Sequence, residues 1–217
     1  MLEGLQTKIK FLNLVKNPTR TDLIFDLMRL MLADPKRSEA LRKYEQALLE
    51  HPDFVRMYRE VWIPRIPNTE NVRTLPKGTL GEAYIQFLDR NKFKQDFYPA
   101  ILVTSPATYL SRRLYEAHDL LHVLTGYDST PTGEVLLQAF QLGQVRSPAS
   151  AMLMVAGLLG QLDAKPENFF NFFNQVIDAF QRGAKAHFIL ASKFEVQLHR
   201  SLADVRQSVG LENWEQR

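Results

Sequence analysis

Apolar residues recur at helical spacing along most of the chain, and nowhere do they alternate as in a half-buried strand. Leu2, Leu5, Ile9, Leu12 and Val15 stand three or four apart, with Lys8, Lys10 and Lys16 between them. This predicts an amphipathic helix that stops before Asn17-Pro18 and packs on the core with a solvated basic face; the sharper reading of the same pattern is a membrane-surface contact. Thr21 or Asp22 caps a second helix through Ile24, Leu27, Met28 and Met31, which Asp34-Pro35 breaks. Ser38 and Glu39 open a charged helix with Leu41, Tyr44, Leu48 and Leu49 on its apolar side. His51-Pro52 ends it, and a short helix follows over about 54–61. Pro64, Pro67 and Pro76 leave 62–76 as a loop. The next helix covers 82–90. Ser105-Pro106 then pairs a capping residue with proline at the first helical position and predicts a helix over about 106–124, stopped by Gly126. Thr130 or Thr132 caps a helix over about 131–146. Residues 149–162 are apolar nearly all round but too short to span a membrane, so they predict a buried central helix. A Phe-rich helix begins at Pro166-Glu167, and a last one covers about 184–209 with a break near Gly183. The pattern describes an all-α fold, a single-domain helical bundle over 1–217 with no internal repeat or linker.

Composition narrows the chemistry. The 217 residues are enough for a sizeable core, and 45% hydrophobic with 24% charged residues is ordinary for a folded domain. With no cysteine, disulfides, thiolate catalysis, cysteine zinc sites and iron–sulfur clusters are excluded. A net charge of +3 without a basic stripe argues against nucleic acid and fits weak attraction to an anionic membrane. The N-terminus has neither the basic region nor the apolar run of a secretory signal, and nothing in it reads as a transit peptide. The expected location is cytoplasmic.

Two of the five histidines, His118 and His122, lie one helical turn apart and share a face. Asp119 borders that face. Glu134 follows after a turn and returns on the next helix. Two imidazoles and two carboxylates make a ligand set for a divalent metal. The arrangement is similar to the zincin H-E-x-x-H helix, with Asp119 in place of the catalytic glutamate. Aspartate is one methylene shorter, so it reaches the metal or its surroundings rather than a metal-bound water. By spacing alone, a half-buried histidine pair hydrogen-bonded to the aspartate is nearly as good a reading.

His118, Asp119, His122 and, eleven residues later, Glu134 resemble the H-D-x-x-H-x11-E signature of the coenzyme Q biosynthesis protein 4 family. Ile63-Pro64-Arg65-Ile66 resembles the family's arginine–proline segment. Residues 75–88 resemble its L-P-x-G-[ST]-L-G-x-x-Y-x-x-F-L segment, and Glu116 also matches. The resemblance covers roughly 50–165; Gln144 to Ser147 depart from the usual continuation. It implies an all-helical bacterial-type member with an apolar groove or tunnel. It further implies a role in ubiquinone biosynthesis and a divalent metal at His118, Asp119, His122 and Glu134. Zinc is the metal the resemblance implies, with iron, manganese and magnesium open. Expected partners are a prenylated quinone precursor or other isoprenoid lipid, other quinone-biosynthesis proteins, the inner membrane face to which the protein is peripheral, and a second copy in a homodimer. The activity implied is oxidative decarboxylation at ring carbon one of the prenylated head group. Two rivals stand beside it: a non-enzymatic lipid-binding scaffold, and, lower, a zincin-like metallohydrolase. Walls for the prenyl chain are expected on the Met28-Met31-Leu32 face, the helix at 149–159 and the helix at 169–180. Arg65, Arg112 and Arg113 are cations available to a benzoate carboxylate, but arginines on a helix are usually solvated, and none of them is assigned that role.

Overall fold

The computed structural model describes residues 2–17, 23–24, 26–27, 30, 38–63, 69–93 and 101–212. The expected cap at Thr21 or Asp22, the Met28-Met31-Leu32 face, the Asp34-Pro35 break and Pro64-Arg65-Ile66 lie outside these residues. Among the described residues eleven α-helices have defined bounds: α1 Leu2–Lys16, α2 Ser38–Leu49, α3 Pro52–Arg59, α4 Thr69–Arg73, α5 Leu80–Asn91, α6 Pro106–Glu116, α7 His118–Thr125, α8 Pro131–Val145, α9 Pro148–Ala164, α10 Phe169–Lys185 and α11 Leu202–Ser208. Among the described residues there is no strand, only an isolated bridge between Thr79 and Ser201, so the fold is all-α. Polar caps set the starts. Thr79, Ser105, Thr130, Ser147 and Ser201 each accept a backbone N–H from the first turn of their helix. The sequence presents one domain without a linker. In space the chain gathers into two compact units, 1–40 with 128–185 and 41–127 with 186–217.

In the first unit α8, α9 and α10 pack through small residues. A Cβ on Gly183 would meet the Phe140 carbonyl oxygen at 2.0 Å, and one on Gly143 the Phe180 carbonyl oxygen at 2.3 Å. The α8 and α10 backbones therefore approach as closely as glycine allows. Gly157 fits against Val135, and Gly160 against the Val15 carbonyl. Leu14, Val15, Leu23, Leu27 and Ala156 form the core cluster here. The expectation of a buried α9 is overturned: only Ser150 and Ala156 are fully buried, while Val155, Leu159 and Leu162 are exposed. The reason is that α9 docks through its small residues, which turns several large side chains outward. On α10, Phe172, Val176, Ala179 and Gly183 face the core, but Phe170, Phe173, Ile177 and Phe180 are exposed.

The second unit is tied by α5. Its entry uses Gly78 at φ +82, where a side chain would be strained, then the Thr79 cap. Gly81 donates its N–H to the Leu198 carbonyl at 2.8 Å, and Leu80 to Arg200 at 2.9 Å. A Cβ at Gly81 would strike Leu75 and Val72. The segment at 75–88 thus gains its glycines from backbone approach. The expected helix over 184–209 is also corrected. α10 continues through Gly183 to Lys185, two 3-10 turns follow at Ile189–Ser192 and Phe194–Val196, and only Leu202–Ser208 is α-helical. Long-range bonds outweigh local helix preference there: His187 donates to the Val209 carbonyl at 3.0 Å, and buried Glu195 reaches Arg113 at 2.6 Å.

Candidate metal centre

The helix expected over 106–124 is two helices. The chain turns at Ala117 (φ −94, ψ −2), which is wholly buried and still bonded at both ends, its N–H to Arg113 and its carbonyl to Leu121. His118 and His122 both fall in α7, so their i, i+4 relation survives the break. The first turn of α7 also carries Asp119, a favourable place for a negative charge at the positive end of the helix dipole.

His122 is 1% exposed and its ring is fixed from both sides. Its Nδ1 lies 3.0 Å from the Tyr127 carbonyl oxygen. A carbonyl only accepts, so Nδ1 carries the proton and Nε2 presents a lone pair. The Phe87 ring stacks on the imidazole, with centroids 5.1 Å apart and planes 20° from parallel. The His122 Nε2 lone pair points at Nε2 of half-buried His118, 3.1 Å away, with the rings nearly perpendicular. The separation is close to the N···N edge of a tetrahedral site, about 3.3 Å for metal–nitrogen bonds of about 2.0–2.1 Å. The structure brings the two predicted histidines together with lone-pair chemistry suited to a cation.

The two carboxylates are placed on their own elements. Asp119 is half-buried, three residues before His122 on α7. Glu134 is half-buried in the first turn of α8, where its N–H bonds the Thr130 carbonyl at 2.9 Å. The approach to it is tightly specified. Asp128 Oδ1 accepts from the Thr130 N–H at 3.0 Å, Thr130 Oγ1 accepts from the Gly133 N–H, and a Cβ on Gly133 would lie 2.1 Å from the Asp128 carbonyl oxygen. Glycine before Glu134 is thus a steric requirement.

Two supports of the histidine helix escaped sequence reasoning. Arg206 on α11 donates Nε to the Leu124 carbonyl at 2.9 Å and Nη2 to the Val123 carbonyl at 2.8 Å, capping the C-terminal end of α7. No local signal could have paired residues 82 apart. Phe87 lay inside a recognised segment, but its partner did not show. Arg113, expected to be solvated, is fully buried and paired with Glu195. Arg112 donates to the Ile101 carbonyl at 3.3 Å and lies 3.7 Å from Glu116, which gives that glutamate a local ion pair.

Comparison with known proteins gives a consistent result. The sequence model of the family described as Coenzyme Q (ubiquinone) biosynthesis protein Coq4 matches residues 8–215. A "Ubiquinone biosynthesis protein coq4, mitochondrial" from Botryotinia fuckeliana is 30% identical over 202 residues, covering 90% of this chain and 69% of the relative. The mouse protein named "Ubiquinone biosynthesis protein COQ4 homolog, mitochondrial" is 27% identical over 202 residues, covering 90% and 72%. A solved structure from Nostoc punctiforme PCC 73102 superposes with a TM-score of 0.82 at 23% identity, covering 97% of this chain and 99% of its own. That last likeness is one of fold.

Proposed function

The chain belongs to the Coq4 family and has a role in ubiquinone biosynthesis, and within that role we propose that His118, His122 and Glu134, with Asp119 beside them, hold a divalent cation next to a prenylated head-group intermediate. The reaction we assign is oxidative decarboxylation: the bond from ring carbon one to its carboxylate breaks with loss of carbon dioxide, a hydroxyl from water takes its place, and dioxygen accepts the two electrons and two protons released and leaves as hydrogen peroxide. The observation that carries the proposal is the 3.1 Å approach of the two Nε2 atoms, one of them a lone pair fixed by the Tyr127 carbonyl. The donor set supports it: His118 and His122 stand one turn apart on α7, and Glu134 offers a carboxylate from the first turn of α8. Two nitrogens and a carboxylate suit zinc and equally iron or manganese. Three protein ligands leave coordination positions for substrate oxygens.

When bound, the cation supplies a Lewis acid for the carboxylate and the neighbouring phenolic oxygen. The protein's own residues do the rest. The Nδ1–H bond to Tyr127 keeps the His122 ring in one tautomer, and Phe87 keeps it in one plane. Arg206 holds the helix end that carries it. Asp119 adds negative charge beside the imidazoles and favours a cation over a proton between them. The substrate's prenyl tail places the protein at a membrane surface, peripherally and among other quinone-biosynthesis proteins. No helix of the described residues is long and apolar enough to cross a membrane. α1 supports a surface contact, since Ile9 and Leu12 are exposed alongside Lys8 and Lys16.

The test is metal analysis of the purified protein together with mass spectrometry of copurifying lipid and turnover of a prenylated hydroxybenzoate. We expect one equivalent of metal, lost in His122→Ala, and product formation lost in Glu134→Ala while helix content and lipid binding persist. A metal-loaded wild type that binds the lipid and makes no product replaces the enzyme with a lipid-presenting scaffold. A protein carrying neither metal nor prenyl lipid overturns both.

A further inference from the structure

We propose that residues 198–206 are a brace that fixes His122 from two sides, with Arg206 as a positioning residue that keeps the ring's proton on Nδ1. The first limb holds α5. Leu80 and Gly81 donate their N–H groups to the Arg200 and Leu198 carbonyls at 2.9 and 2.8 Å, and Leu202 donates back to the Gly78 carbonyl at 2.9 Å. A Cβ on Gly81 would lie 3.0 Å from the Leu198 carbonyl oxygen, so the two backbones meet with no side chain between them. Further along α5, Phe87 stacks on the His122 ring. The second limb holds α7. Ser201 caps α11, and Arg206 on that helix donates Nε to the Leu124 carbonyl at 2.9 Å and Nη2 to the Val123 carbonyl at 2.8 Å.

The end of α7 links this second limb to the imidazole. An α-helix leaves its last carbonyls without a partner in its own ladder. Here His122 accepts from the Gly126 N–H at 2.8 Å, and Val123 and Leu124, both buried, accept from the guanidinium. Gly126 stands at φ +77 and turns the chain, so that the next carbonyl, that of Tyr127, accepts from His122 Nδ1 at 3.0 Å. Residues 123–127 are thus a short loop tied to Arg206 at one end and to His122 at the other. Two donors on neighbouring carbonyls are the geometry of a guanidinium fork, which a lysine ammonium does not supply. Without the fork two buried carbonyls lose their donors, the last turn frays toward water, and the Tyr127 carbonyl leaves the ring. His122 then samples both tautomers, and with its proton on Nε2 it has no lone pair to present beside His118. A change of this kind behind a metal-binding histidine lowers metal affinity by about 10–100-fold. The consequence for zinc rests on the metal reading above; the consequence for the tautomer does not.

Nitrogen-15 NMR of the histidine rings in the metal-free full chain reads the tautomer, and competition with a chromogenic chelator reads zinc affinity. The wild type is expected to hold His122 in one tautomer, protonated at Nδ1. Arg206→Leu is expected to show both tautomers and to bind zinc about tenfold or more weakly. Arg206→Lys keeps a cation at the helix end without the fork, and is expected to recover only part of each loss. Gly183→Ala, which strains the other compact unit, is expected to keep the wild-type tautomer and zinc affinity, which separates lost position from lost stability. One tautomer in both Arg206 variants overturns the brace, whether or not the wild type binds zinc. So does a tautomer mixture in Gly183→Ala equal to that in Arg206→Leu. A wild type that binds no zinc while its tautomer still shifts in the Arg206 variants supports the brace and overturns the metal reading.

Discussion

Arg113 has the burial of a core leucine and the charge of a surface residue. Its Nη1 donates to Glu195 Oε1 at 2.6 Å, and neither partner reaches water. Removing one member of such a pair strands the other charge in a low-dielectric interior. Arg113→Met is expected to lower stability by roughly 3–5 kcal/mol in urea titration, and Arg113→Met with Glu195→Leu to recover much of it. If the single variant unfolds at the wild-type midpoint, the pair is not a determinant of the fold. Tyr115 is a half-buried polar case. Burial pushes its hydroxyl up to about 12 from the ordinary 10.0. The folded state thus holds the neutral form, a contribution fully present below pH 10 and lost as pH rises through 12. Thermal melts across that interval should show a loss on the order of 2 kcal/mol that Tyr115→Phe reduces. A pH profile unchanged by the substitution would contradict the assignment.

Among the elements, α8 and α10 show which of two opposing effects wins. Replacing glycine by alanine inside a helix favours folding by about 0.5–1 kcal/mol through backbone entropy. At Gly183 the new Cβ meets a backbone oxygen at 2.0 Å, and backbone cannot swing aside. Gly183→Ala is therefore expected to destabilise by roughly 1–3 kcal/mol, read as a lowered urea midpoint at constant slope. A stabilised variant would mean the two helices are free to separate. The Thr79 cap is a milder case. Its Oγ1 accepts the Glu82 N–H at 3.2 Å, and Thr79→Ala should cost about 1 kcal/mol by the same measurement.

At the scale of the whole molecule, a bound ion and folding are linked. If the donors assemble only in the folded chain, added zinc stabilises it by mass action, about 2.7 kcal/mol at a hundred times the dissociation constant. The melting temperature should rise with zinc, fall with a chelator and become indifferent to both in His122→Ala; a wild-type melt insensitive to zinc sinks the metal reading. The sequence by itself determined the helical class, because apolar spacing and proline or glycine punctuation act within a few residues. It also determined the histidine pair, because four residues is one turn of any α-helix, and it narrowed the cap before Glu134 to Thr130 or Thr132, of which the fold uses Thr130. Only tertiary structure decided the rest. The C-terminal segment reads as one helix, yet Glu195 is drawn to Arg113 and His187 to Val209, contacts no local pattern encodes. Residues 149–162 read as buried, yet glycines at 157 and 160 set how deep α9 sits and turn several of its larger side chains outward. The Phe87 stack and the Arg206 cap depend on atoms far apart along the chain, brought within contact distance only by the packing of α5, α7 and α11.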